Sequence, residues 1–406
     1  MIDARLRRLA DSPAPWTVIA AIWFALRARD AWMTPQLWGE DGPIFLVRAL
    51  SDPWGSVWES YAGYIHLLPR ILALSAIGVP LSWVPAVYAG LAFLVTVAAM
   101  VYAATARMPS PFWCAAPLAF AIVPQNGEVV FTITNVQWIT ATCLALAAAA
   151  PPPRARARRN LDMVVVGVCG MTGPFSILFL PAFVLRAWFS RGDMQAWLLL
   201  AVAAATAVVQ LTVLASADPF AAYQPPAWPG MAEVVYVIIG RMLGDWFAFG
   251  PSLQVRWGIV IAAGLAIALA GPLSRSEGRQ PILVLGLCGG AILAAAILKF
   301  SGDIAGLLQL APTGYGGRYY YPPGVLLAWA LWIAAWDHRR VPRYAALLAL
   351  GLLVANGASH GGRIPRADLR WADQVRRYEA GEIPALRIHP EGLTISPPRS
   401  APLLAR

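Results

Sequence analysis

Long apolar runs separated by short polar segments dominate this chain, and their lengths set its reading. At about 20 residues per bilayer crossing, the runs predict helices near 14–32, 82–106, 111–124, 134–150, 161–172, 174–190, 194–215, 254–271, 280–298, 319–336 and 343–357. That makes about eleven transmembrane helices. The break Thr172-Gly173-Pro174 separates the fifth run from the sixth, so 161–190 is either two spans or one kinked or re-entrant element. The expected fold class is an all-α, polytopic integral membrane protein: a transmembrane domain over 1–357 and a short C-terminal tail over 358–406.

The polar segments between the runs carry a charge pattern that orients the helices. With the amino terminus on the cytoplasmic side, the segments on that side are ARLRR, Arg107, 151–159, Arg186 with Arg191, 273–279 and 337–343, all basic. The opposite segments, 33–81, 125–133, 216–253 and 299–318, are richer in Trp, Tyr, Pro and acids, yet also hold Arg70, Arg241, Lys299 and Arg318. This orientation puts the opposite segments on the external face of the membrane. Eleven spans put the tail on that face as well, where a Pro-rich piece of this length should pack as a small cap.

Composition adds to the picture. A chain that is 59% hydrophobic and 13% charged, with mean hydropathy +0.60, has too much apolar surface for a soluble enzyme. Its net charge of +10 comes from loop arginines that suit membrane lipid headgroups, and no basic stripe with interleaved aromatics suggests nucleic acid. The basic, apolar start lacks a small-x-small cleavage site, which reads as a retained anchor. Four cysteines lie inside apolar runs without metal-ligand or disulfide spacing.

Candidate chemistry concentrates in the first external loop, 33–81. After Gly42-Pro43 an amphipathic turn begins, and Trp54, Trp58 and Tyr61 follow at helical spacing, which predicts interfacial helices with an aromatic side towards lipid. Glu40 and Asp41 directly follow the first span. They read either as a carboxylate base or cation ligand at a cavity mouth, or as a helix cap ahead of Pro43. His66 and Arg70, four apart, would share a helix face, with Arg70 offered to a substrate phosphate or to a lipid headgroup.

Two further clusters belong to the same face. Glu128, Asn135, Gln137 and Trp138 surround the start of the fourth span, where amide and indole groups suit a sugar; a cap plus a belt tryptophan would use the same residues. Lys299, Arg318 and the consecutive Tyr319, Tyr320 and Tyr321 could clamp a phosphate or anchor lipid headgroups. The glycines of 314–317 match no nucleotide-binding fingerprint.

On these residues the chain resembles the multi-span glycosyltransferases of the GT-C fold, which use polyprenyl-phosphate sugars. The likeness rests on Glu40-Asp41 in a long first external loop, interfacial helices before the second span, the break MTGPFSILFLP at 171–181 and GRYYYP at 317–322. It is nearest to bacterial membrane proteins carrying WGEDGPIF, YAGYIHLLPR and TNVQW. The resemblance implies a first-loop acid as base, here Asp41 or Glu40, and a large soluble external domain common in that group is missing from this chain.

Chemistry alone agrees with that implication. Transfer from a lipid phosphate sugar needs one base and cations for a departing phosphate, since phosphate leaves without a general acid. The expected function is therefore an inverting hexosyl- or pentosyltransferase acting on an envelope glycan, lipid or protein. Nucleotide sugars are cytoplasmic, so an external site must draw its donor from the membrane. No cofactor is required by the pattern, although a divalent cation is left open; two adjacent acids do not make a metal site. The alternative is a transporter or flippase for a lipid-linked saccharide, which should place polar groups deep in several spans. Gln210 is nearly the only strongly polar residue in mid-span.

Overall fold

The computed structural model describes residues 12–108, 111–216, 229–247, 255–359 and 365–398. Each of the eleven apolar runs holds one helix: α1 (Pro13–Leu26), α2 (Val84–Ala104), α3 (Phe112–Ile122), α4 (Val136–Ala149), α5 (Arg156–Gly170), α6 (Phe175–Phe189), α7 (Met194–Ser216), α8 (Val255–Leu273), α9 (Ser276–Lys299), α10 (Tyr321–Ala335) and α11 (Arg340–Ser359). Four stretches, Leu81–Ala104, Met194–Ser216, Ser276–Lys299 and Arg340–Ser359, are long and apolar enough to cross a membrane. The fold is all-α and polytopic. In 161–190 the chain forms two helices, α5 and α6, joined through Thr172, Gly173 at φ +86° and Pro174.

Helix α4 is the central pillar. Every one of its residues is buried, and α2, α5, α6, α9 and α10 all pack against it. Its run of Ala, Thr and Cys lets neighbouring backbones approach closely. The Thr140 and Thr142 hydroxyls donate back to the Gln137 and Ile139 carbonyls, so these polar groups are satisfied within the helix.

The first loop departs from the expected form. Gly42–Leu46 and Val47–Ser51 make one wound segment, and Pro53–Trp58 follows as a short helix. Trp54 and Trp58 are exposed, as an interfacial helix requires, but Tyr61 is not on that helix. It belongs instead to a hairpin, β1 (Ser60–Tyr61) paired antiparallel with β2 (Tyr64–Ile65), closed by Ala62 and Gly63 at positive φ. His66 precedes the next helix, Leu67–Ala73, rather than sharing a helical face with Arg70.

This hairpin is tied to the bundle through backbone groups. Gln210, fully buried on α7, accepts from the Ile65 N–H at 2.9 Å and donates to the Ile65 carbonyl at 3.0 Å. Gly173 N–H reaches the same carbonyl at 2.9 Å, and Thr172 Oγ1 accepts from Leu68 N–H. The mid-span amide thus acts as a strand partner. Replacing it in Gln210→Leu leaves the buried Ile65 N–H without its acceptor, and should cost about 1–3 kcal/mol. Thermal unfolding of the purified protein in detergent measures this; an unchanged midpoint would contradict the anchoring role.

The tail forms a cap on the first loop. Helix α12 (Trp371–Glu379) and the hairpin β3 (Leu386–Ile388) with β4 (Leu393–Ile395) share a core with Leu37, Phe45, Leu46, Ala49 and Tyr88. Trp371 Nε1 donates to the Leu81 carbonyl, and Leu37–Gly39 pairs with His389 through two backbone hydrogen bonds. A Cβ at Gly42 would lie 2.8 Å from Ile388, so the cap seats directly on the backbone beside Asp41.

Candidate active site

Asp41 ends a single tight turn, Gly39–Asp41, and is only 2% exposed. Its Oδ1 accepts from both the backbone N–H and the hydroxyl of Thr134, just ahead of α4. Its Oδ2 makes no hydrogen bond with a described residue. Burial pushes the carboxyl up to about 7, with Thr134 and Arg366 opposing and the adjacent Glu40 charge adding to the rise. A carboxylate held by one oxygen, with a proton affinity near neutrality, has the properties of a general base. Asp41 is thus a ligand of Thr134 and not a cap of its own helix.

Glu40 is half-buried and accepts from the Tyr61 hydroxyl at 3.0 Å. Burial, then the Glu40 charge and hydrogen bond, drive the Tyr61 phenol well above its usual range, so it stays a donor. Tyr61 also lies within the field of Arg318 and Tyr319, and Glu40 within that of Arg318. The hairpin therefore joins the first-loop acids to the cations of 299–318.

On that side, Arg318 forms an ion pair with Glu128 at 3.5 Å, and its backbone N–H donates to Glu128 Oε2 at 3.3 Å. Its guanidinium lies 5.2 Å from the Tyr319 ring centre. Lys299, at the end of α9, donates to the Tyr319 hydroxyl at 2.7 Å. Tyr319 packs edge-on against Trp138, which packs against Phe175, each pair 5.2 Å between centres. The Trp138 indole N–H is buried without a partner. Two cations, an aromatic wall and an unused donor thus stand beside a pair of acids.

Several expected site residues do other work. Arg70 is 1% exposed, donates to the Ile44 carbonyl at 2.7 Å and pairs with Glu59 at 3.5 Å, so it fixes the first loop and is closed to a phosphate. His66 bonds the Tyr61 carbonyl through Nε2, and burial, aided by Arg70, lowers it to about 4, leaving it neutral. Asn135 donates to the Glu128 carbonyl and to Thr132, ordering the 126–134 loop instead of facing a cavity. Gln137 donates to the Thr134 carbonyl and abuts Gly173. Tyr320 lies within the field of Arg241 and Asp245, and Tyr321 donates to the Phe120 carbonyl; neither joins Tyr319. Thr134 and Arg366, which no spacing in the sequence marks, join the site, and so does Tyr61, expected on the lipid-facing side of a helix. Arg366 stacks on Trp38 at 4.1 Å, close enough for its charge to act on Asp41. Among the described residues no three His, Cys, Asp or Glu side chains converge as a metal site.

No protein-family model matches the chain, and no curated protein does. Among solved structures it is similar to the archaeal oligosaccharyltransferase AglB from Archaeoglobus fulgidus, determined in complex with an inhibitory peptide and a dolichol-phosphate. The identity is 13% and the TM-score 0.42, over 96% of this chain and 60% of that one.

Proposed function

We propose that this protein is an inverting glycosyltransferase that moves a sugar from a polyprenyl-phosphate donor to a cell-envelope acceptor on the periplasmic face. The observation that carries the reading is Asp41: a buried carboxylate anchored through one oxygen, next to Glu40, which lies in the field of Arg318. In the reaction the acceptor hydroxyl gives its proton to Asp41 and its oxygen bonds to the anomeric carbon. The bond from that carbon to the phosphate oxygen breaks, and the phosphate departs with the electron pair beside Arg318 and Lys299. Glu40, fixed by Tyr61, orients the acceptor and raises the affinity of Asp41 for its proton. A single displacement inverts the anomeric centre.

The carrier's chain has a place to lie. An apolar groove of about 520 Å³ runs between α8, α9 and α10, walled by Gly286, Gly289, Gly290, Pro323 and Leu326. Helix α9 ends at Lys299, and α10 begins just after Arg318 and Tyr319, so chain and phosphate can be held by the same two helices. The flippase alternative asks for polar groups along a path. Gln210, the strongest such candidate, is consumed by the Ile65 backbone.

Transfer from synthetic lipid phosphate sugars to candidate envelope acceptors by the purified protein tests the activity. A Cβ at Gly290 would meet nothing within 4 Å, so Gly290→Leu can narrow the groove without a clash. It should raise the KM for a long-chain donor about tenfold and leave a short-chain donor unaffected. No transfer with any donor would refute the function. Equal KM values would refute the groove alone.

A further inference from the structure

A second cavity, of about 720 Å³, lies at the other end of the bundle. It is lined by Arg107 just after α2, Trp113 at the start of α3, Arg154 in the segment after α4, and Ser276, Glu277 and Gln280 at the start of α9. Helix α4 starts beside Asp41 and ends before Arg154, which separates the two places by about 21 Å along its axis. Helix α9 runs the opposite way, from Ser276 in this cavity to Lys299 at the candidate active site.

The cavity's polar groups are nearly all donors. Neither Arg107 nor Arg154 forms an ion pair with a described residue, whereas nearby Arg158 is locked to Asp162 at 3.0 Å. Gln280 buries its amide nitrogen with no partner. Ser276 adds a hydroxyl, and Glu277 is the one acid. Two exposed guanidinium groups with no ion-pair partner among the described residues and one unpartnered buried amide N–H line a single hollow, a donor set that suits an acceptor-rich anion, and Trp113 gives that anion's organic part a flat apolar wall.

We infer that this cavity binds a phosphate group, held between Arg107 and Arg154 with Gln280 donating to it. This site is separate from the transfer chemistry and does not depend on it. The phosphate can belong to a phospholipid headgroup or to a soluble phosphate ester, and the test separates the two.

Full-length protein purified in detergent is titrated with phosphatidylglycerol, phosphatidylethanolamine and glycerol phosphate, and adducts are read by native mass spectrometry alongside the unfolding temperature. The Arg107→Gln/Arg154→Gln variant is compared with Arg275→Gln/Arg279→Gln, which removes two exposed arginines of the same region that do not line the cavity. Wild type should bind phosphatidylglycerol about tenfold more tightly than phosphatidylethanolamine, or bind glycerol phosphate if the source is soluble. The cavity variant should lose that binding and the control keep it. Equal binding of both lipids with no glycerol phosphate adduct reduces the site to nonspecific lipid adhesion, and equal loss in both variants reduces it to general surface charge; either result overturns it.

Discussion

Asp41→Asn should lose about 10³-fold in kcat, the range expected when a positioned base is removed, while the protein becomes more stable to heat at alkaline pH. The two effects have one origin. Burial holds the Asp41 carboxyl near 7 instead of its usual 3.8, so the folded state favours the protonated form. Its contribution to stability is complete below the unfolded value and is lost as pH rises through about 7. Ionised, the group then costs roughly 4 kcal/mol. Asn keeps an oxygen for the Thr134 donors and carries no charge, so the stability gap between variant and wild type should open from about pH 4 to about pH 7 and stay constant above it. Wild-type kcat/KM should rise through about pH 7, where the folded carboxyl ionises, and then level off. Glu40→Gln removes a charge that raises the Asp41 value, and so should move this rising limb to lower pH. Full turnover in Asp41→Asn, or a limb unmoved by Glu40→Gln, would contradict the assignment.

The elements that bear these residues were legible in the sequence to very different degrees. All eleven helices follow from apolar runs, because burying a run of that length or exposing it to lipid leaves the backbone no alternative to helical hydrogen bonding. The hairpin at 60–65 does not follow: Trp54, Trp58 and Tyr61 keep helical spacing, yet the helix ends at Trp58 with Glu59 extended, and Ala62 and Gly63 at positive φ then fold Tyr64 back against Tyr61. Gly63 was the available signal. Partners far along the chain are invisible to spacing, as with Asp41 and Thr134, Glu128 and Arg318, or Arg366 and Trp38. The role of Arg70 is illegible for a related reason, since its main partner is a backbone carbonyl that no residue identity advertises. Geometry alone separates the three tyrosines. Successive residues at a helix start point about 100° apart, so Tyr319, Tyr320 and Tyr321 could not all face one ligand.

Arg318→Gln should be the next most damaging change, lowering kcat by about 10²-fold for any phosphate-linked donor, as removal of one group that meets developing charge does. The backbone N–H bond to Glu128 survives this substitution, so the 126–134 and 310–320 segments stay joined while the charge is lost. Lys299→Gln should cost less, about tenfold, because its ammonium is a single point charge on a flexible stem shared with the Tyr319 hydroxyl. A structural account makes a different forecast. If Arg318 matters only as the partner of Glu128, then Glu128→Gln breaks the same ion pair and should be equally harmful. If its charge serves the departing phosphate, Glu128→Gln leaves that charge in place and most of the activity remains. Inhibition by the polyprenyl-phosphate product gives a second reading: Arg318→Gln should weaken it about tenfold or more, through the lost charge-assisted contact, and Glu128→Gln should leave it intact or strengthened. Parallel losses in the two variants would return Arg318 to the scaffold and leave the candidate site without its principal cation.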